Sequence, residues 1–163
     1  MPITSKFISL KEYIPPGNPK LFHFSLNSSE IDLENSNDVL VKNEWISVDP
    51  YMRARMTERK NYLPPFELNK PMLGAAIGKV QKSNSKNFSE GDIVISENGW
   101  RDYFVEKDTK LQKIENNNLP IQTYLGPLGM TGHTAYIGLF KIGDLKEKQT
   151  VLVSSAAGSV GSM

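Results

Sequence analysis

The chain has no cysteine among its 163 residues, which excludes disulfides, thiolate metal sites and cysteine nucleophiles together. Imidazole is almost as scarce. His23 and His133 stand far apart in sequence, and a zinc site would need both plus carboxylates, so no metal is expected. Charge of one sign is also missing: 19 basic and 18 acidic residues give a net charge of +1, with no run of like charge. That balance argues against nucleic acid or an anionic membrane as principal partner. No apolar run approaches the ~20 residues that a spanning helix needs. Met1-Pro2-Ile3-Thr4 lacks the basic and apolar regions of a secretory signal, so the expected location is cytoplasmic. There is no internal repeat and no low-complexity block. A length of 163 residues suits one domain with a sizeable core and is short for two.

What the chain does contain is, at first, strands and turns. Phe7, Ile8 and Leu10 predict an opening strand, closed by Pro15-Pro16-Gly17-Asn18-Pro19. Phe22, Phe24 and Leu26 alternate with Leu21, His23 and Ser25, predicting one buried aromatic face with His23 as a plain strand residue opposite. Asn27 to Asn37 is polar and reads as a loop. Val39 to Val48 reads as one long strand or two joined at a bend. Asp49-Pro50 then gives a helix start, a capping carboxylate before proline at the first helical position, with a short turn from Tyr51 to Met56. Arg59 to Pro71 is an exposed loop with aromatic anchors, either lining a site or pinned to the surface by Phe66. Strands resume at Ala75 to Gln81, Asp92 to Ser96, Trp100 to Val105 and Lys110 to Ile114, with a hairpin signal at Asn98-Gly99. Many short strands at this spacing predict a barrel or sandwich.

Asn116-Asn117-Asn118-Leu119-Pro120 reads as a boundary between a β domain, residues 1–120, and a second segment, residues 121–163. In that segment Tyr136, Leu139 and Phe140 fall at helical spacing, and Gly143-Asp144 ends the helix. Val151-Leu152-Val153 reads as a short buried strand. Ala156-Ala157-Gly158-Ser159-Val160-Gly161 behind it has the spacing of G-x-G-x-x-G with alanine at the first glycine. Two readings stand: a small-residue connection, or the turn that aims free N–H groups at a pyrophosphate.

Several stretches carry a family resemblance over nearly the whole chain. They are Ser47-Val48-Asp49-Pro50-Tyr51-Met52-Arg53, Pro64-Pro65-Phe66, Gly91-Asp92-Ile93-Val94, Gly129-Met130-Thr131-Gly132 through Thr134-Ala135-Tyr136, and the closing Ala-Ala-Gly-Ser-Val-Gly. In this order they resemble the zinc-independent medium-chain dehydrogenases/reductases, in the branch of prostaglandin and leukotriene reductases, alkenal double-bond reductases and curcumin reductase. The resemblance implies a mainly β fold: a GroES-like, partly open β-barrel followed by a helix and the first strand of a truncated Rossmann α/β domain. Family members continue through that domain and return to the barrel, so this chain resembles their front half, as a fragment or as a truncated reading frame.

The resemblance also implies a chemistry: hydride transfer from NADPH to the β-carbon of an α,β-unsaturated ketone or aldehyde. Zinc-binding relatives place a cysteine at Asp49, Gly-His-Glu near Leu73-Gly74-Ala75 and a third ligand at Met130, so the resemblance implies that the zinc-ligand set of those relatives is missing here. Tyr51 falls where such relatives keep a proton-relay hydroxyl. Its implied role is substrate positioning and proton donation, against the alternative of a packed aromatic. Pro50, Met130 and Thr134 match positions contacting the nicotinamide end, and Gly158, Ser159, Val160 and Gly161 match the pyrophosphate turn. Trp100 lies where relatives vary the substrate pocket, or else simply anchors the barrel. Arg53 and Arg55 read as solvated or paired, and His133 as tolerated variation. A preference for NADPH over NADH rests on the resemblance, and the implied intact protein is a homodimer. A quinone reductase of the same superfamily and a non-catalytic barrel used for binding are the alternatives.

Overall fold

The computed structural model describes residues 2–59, 61–115 and 118–163. The chain divides into two compact units, Met1–Glu115 and Asn116–Met163. Asn116 and Asn117 of the expected boundary lie outside the described residues.

Among its described residues the first unit holds seven strands: β1 Ile3–Leu10, β2 Phe24–Ile31, β3 Asp38–Ile46, β4 Ala76–Ser83, β5 Ile93–Ser96, β6 Tyr103–Lys107 and β7 Gln112–Lys113. β1 and β2 form an antiparallel hairpin, and the other five form a sheet in the order β6-β3-β4-β5-β7, every pair antiparallel. The hairpin joins the sheet along a seam, where Ile8 N–H donates to Trp100 O at 2.8 Å and Asp102 N–H to Lys6 O at 3.0 Å. The result is a partly open barrel.

Alternation in the central strands fills its interior. Val39 and Val41 of β3, Val80 of β4, Val94 of β5 and Phe104 of β6 meet Phe88 and Leu111 in one cluster. Each such side chain withdrawn from water contributes about 1.5–3 kcal/mol. The β3–β4 approach is close: a Cβ on Gly78 would lie 2.5 Å from Val41 Cγ1 and 2.6 Å from Lys42 O. β3 also carries register shifts between Leu40 and Val41 and between Asn43 and Trp45. A second cluster, Leu10, Ile14, Met52, Met56, Phe66 and Met72, packs β1 and the following loops against the short helix α1, Tyr51–Arg55. The Asp38 carboxylate ties the start of β3 to the end of β6. It accepts Lys107 Nζ at 2.6 Å and the N–H groups of Glu34 and Asn35 at 3.1 and 2.8 Å. The Lys107 bond holds that carboxyl well below the usual carboxylate range.

Three sequence expectations are corrected in this unit. Leu21–His23 is a tight 3-10 turn, and Phe22 and Leu26 face solvent while His23 is buried. The apparent alternation fails because the strand begins only at Phe24; His23 is drawn inward, its Nδ1 accepting Lys20 N–H at 2.9 Å. The polar stretch from Asn27 is not all loop, since β2 continues to Ile31. Pairing with β1 satisfies its backbone without burial. Asn98-Gly99 does not close a hairpin, because β3 and β4 lie between β5 and β6 in the sheet. The chain crosses over instead, and Asn98 bridges Gly74.

The second unit is helical and irregular: a 3-10 turn at Ile121–Leu125, helix α2 at Met130–Tyr136, and a π-helical turn at Ile137–Ile142. The Tyr136 and Phe140 rings lie 5.1 Å apart, tilted by 42°, in the helical stretch expected from their spacing. Val151-Leu152-Val153 forms no strand, which corrects that expectation. A parallel strand needs neighbours to take up its N–H and C=O groups, and among the described residues none pairs with it.

Candidate active site

The first part of the site is built on α1. Asp49 was expected to cap this helix with its side chain, yet its carboxylate accepts the Ser47 hydroxyl at 2.8 Å and no side-chain cap forms. The backbone starts the helix alone, Met52 N–H donating to Asp49 O and Arg53 N–H to Pro50 O, both at 3.1 Å. Met52 is driven into the second apolar cluster, which leaves its neighbour Tyr51 half-buried against that cluster. Burial, with the nearby charges of Glu97 and Asp49, pushes the Tyr51 phenol above its ordinary 10.0, opposed by Arg55. Glu97 is likewise raised by burial and by Asp49, again against Arg55. The two arginines of α1 are occupied structurally. Arg53 donates to Pro15 O at 2.7 Å and to Gly17 O at 2.9 Å, while Arg55 donates to Pro64 O at 2.9 Å and covers the Phe66 ring at 4.2 Å. An open cleft of about 870 Å³ runs beside this helix, with Tyr13, Pro16, Pro50 and Asn61 among its walls.

The second part is the crossover from β5 to β6. Gly99 N–H donates to Gly74 O at 2.9 Å, which holds the crossover against the segment entering β4. Trp100 follows in the left-handed region at φ 59°, an uncommon conformation for a bulky residue. Its indole packs on the same cluster as Tyr51, and its Nε1 lies 3.7 Å from where a Cβ of Gly74 would stand. Tyr51 and Trp100 thus pack against the same apolar cluster, and Trp100 stands beside Gly74, where Met52 also reaches. Sequence reasoning missed Asn43, whose Nδ2 donates to Asn98 O and Arg101 O, both at 2.8 Å. An asparagine inside an apolar strand was the one available signal. Among the described residues, Asn43 Oδ1 and Trp100 Nε1 are buried without partners. Such an orphan costs about 1–3 kcal/mol.

In the second unit, Met130 and Thr134 lie one turn apart on α2, and the Thr134 hydroxyl donates to Met130 O at 2.7 Å. Met130 is exposed and so is not core filler within its unit. Gly158 to Gly161 lie in a separate coil of turns. Gly158 N–H donates to Ser155 O at 2.8 Å, and a Cβ on Gly161 would come within 2.3 Å of the same oxygen, so that position requires glycine. Among the described residues, the N–H groups of Ser159, Val160 and Gly161 have no acceptor. Three successive free donors on a glycine turn are chemically suited to a phosphate. Also among the described residues, no three His, Asp or Glu side chains converge as a cation site, and no helix is long and apolar enough to cross a membrane.

Residues 6–114 match a family described as the N-terminal domain of oxidoreductase. The 2-alkenal reductase (NADP(+)-dependent) of Nicotiana tabacum is 38% identical over 166 aligned residues, covering 99% of this chain and 48% of that protein. The NADPH-dependent curcumin reductase of Escherichia coli (strain K12) is 36% identical, covering 90% of this chain and 43% of that protein. The crystal structure of CurA from Vibrio vulnificus in complex with NADPH gives a TM-score of 0.88 at 35% identity, covering 97% of this chain and 47% of that one. The chain spans about half the length of the curated relatives it matches.

Proposed function

Because this chain belongs to the zinc-independent medium-chain dehydrogenase/reductase family, as N-terminal half, we propose that it serves an NADPH-dependent reductase acting on the C=C bond of α,β-unsaturated ketones or aldehydes. The observation that carries this reading is the half-buried Tyr51 phenol on α1, packed against the same apolar cluster as Trp100. The relatives named for alkenal and curcumin reduction support the substrate class.

When bound, NADPH supplies hydride to the β-carbon, and negative charge then builds on the substrate's carbonyl oxygen. The chain's own residues have to meet that charge. Tyr51, its pKa raised, stays protonated at neutral pH and would donate a hydrogen bond to this oxygen, and the enolate then takes a proton from solvent at its α-carbon to give the saturated carbonyl. Trp100 forms an apolar wall that orients the enone. In the second unit, Met130 and Thr134, one turn apart on α2, would contact the nicotinamide. The free N–H groups from Ser159 to Gly161, with the tight turn at Gly158, would hold the pyrophosphate.

Steady-state kinetics on the complete reductase test this. Tyr51→Phe should lower kcat/KM for an enone by about 10²-fold, as loss of one oxyanion donor does, with NADPH affinity unchanged. Quinone turnover exceeding enone turnover in the parent enzyme would overturn the substrate class. An unchanged kcat/KM in the variant would remove Tyr51 from the chemistry.

A further inference from the structure

We propose that Asn43 is a positioning residue for the enone pocket: its side-chain amide sets the crossover that presents Trp100 to substrate. This rests on the reading of Trp100 as a pocket wall given above.

The chain provides the lever in β3. Between Asn43 and Trp45 the pairing with β4 slips, Asn43 standing opposite Gly78 and Trp45 opposite Ile77. Such a bulge re-aims a side chain that plain alternation would have directed elsewhere. Here it turns the Asn43 amide onto a stretch more than fifty residues away in sequence. Three of the crossover's carbonyls are taken by this one residue: Asn43 N–H donates to Asp102 O, and Nδ2 to Asn98 O and Arg101 O, each at 2.8 Å. The three acceptors bracket Trp100 on both sides.

Trp100 does not fix itself. Its indole N–H is buried with no acceptor among the described residues, and its backbone is held at φ 59°, where a bulky side chain does not rest unaided. Constraint therefore comes from the backbone bonds around it, and Asn43 supplies the only side-chain donors to the carbonyls of Asn98 and Arg101 among the described residues. The amide's own acceptor is sacrificed to this orientation. Asn43 Oδ1 has no partner among the described residues and lies 3.2 Å from where a Cβ on Gly78 would stand. An asparagine kept for generic strand stability would not leave that oxygen buried and unpaired.

Two experiments test the proposal. In the 163-residue chain carrying Trp45→Phe, so that emission reports Trp100 alone, Asn43→Asp keeps the side-chain size but removes both donors. It should shift the emission maximum and increase quenching by acrylamide. Asn43→Ser, which retains one donor, should fall between, and it stands in if the aspartate variant does not fold. In the complete reductase, Asn43→Asp should raise KM for a bulky enone such as 4-phenyl-3-buten-2-one about tenfold, with kcat held within about twofold, the pattern of lost uniform binding. Trp100→Phe should do the same, and the double variant should be no worse than Trp100→Phe alone. Unchanged Trp100 emission, or fully additive effects on KM, overturns the proposal. If Trp100→Phe leaves KM unchanged while emission still moves, the pocket reading of Trp100 is what has failed, and the substrate role of Asn43 falls with it.

Discussion

One added carbon separates what Gly74 and Gly78 can accept. At Gly78 a Cβ would press on Val41 Cγ1 and on the Lys42 carbonyl, at 2.5 and 2.6 Å, and a carbonyl in a paired strand has nowhere to go. At Gly74 the first obstacle is Met52 Cε at 2.4 Å, the end of a flexible thioether. Both are overpacking, but only one can relax. Gly78→Ala should cost about 3 kcal/mol and Gly74→Ala about 1 kcal/mol, the two ends of the usual range, as read by urea unfolding. Glu97 gives a pH test of the same neighbourhood. Its carboxyl is raised in the folded chain, chiefly by burial, so the folded state favours the protonated form. The sign follows from linkage: any stability from this group is complete below the unfolded pKa and is lost as pH rises through the folded one. Glu97→Gln, permanently neutral, should therefore raise Tm more at pH 8 than at pH 4. An equal shift at both pH values would show that the charge is not opposed.

Asp102 is the staple between hairpin and sheet. Its Oδ1 accepts Lys6 N–H at 2.7 Å and Tyr103 N–H at 2.8 Å, while its backbone N–H donates to Lys6 O. Bonds to a charged acceptor contribute about 1.5–3 kcal/mol each. Asp102→Ala should then speed exchange of the β1 seam amides at least about tenfold, leaving β3 and β4 amides protected, as hydrogen exchange would read. The strands on either side of this seam show what sequence could convey. β3, β4 and β5 were legible because Val39, Val41, Val80 and Val94 face the interior at strand spacing, and α1 does start directly after Asp49-Pro50, though with Pro50 at its cap and no side-chain bond from Asp49. β2 was hidden by its polar composition, since what makes it a strand is pairing with β1 and not burial. The Asn98-Gly99 signal misled because turn chemistry is local, while the sheet order that separates β5 from β6 is not. The same limit applies to the site. Tyr51 was singled out by the family resemblance, whereas the Asn43 brace consists of contacts 55 and 58 residues apart, of which an asparagine inside an apolar strand is the one sequence trace.

The two units carry unequal shares of the core. Both apolar clusters draw every member from Leu10 to Leu111, all inside Met1–Glu115. In the second unit the only buried described residue is Thr131, and Ile142, Leu152 and Val160 are exposed. Helical turns with so little buried apolar surface open locally at small free-energy cost, whereas opening the barrel exposes a whole cluster at once. A protease present in trace amounts should therefore cut first within residues 118–163 and leave a resistant product ending near Glu115. Because that cut removes no member of either cluster, a chain of residues 1–115 should melt cooperatively, with Tm within a few degrees of the full 163 residues. It should also keep the Trp100 emission of the parent, since the Asn43 bonds lie wholly inside it. A truncated chain that unfolds, or early cleavage inside β3 or β4, would mean that residues beyond Glu115 help hold the barrel closed.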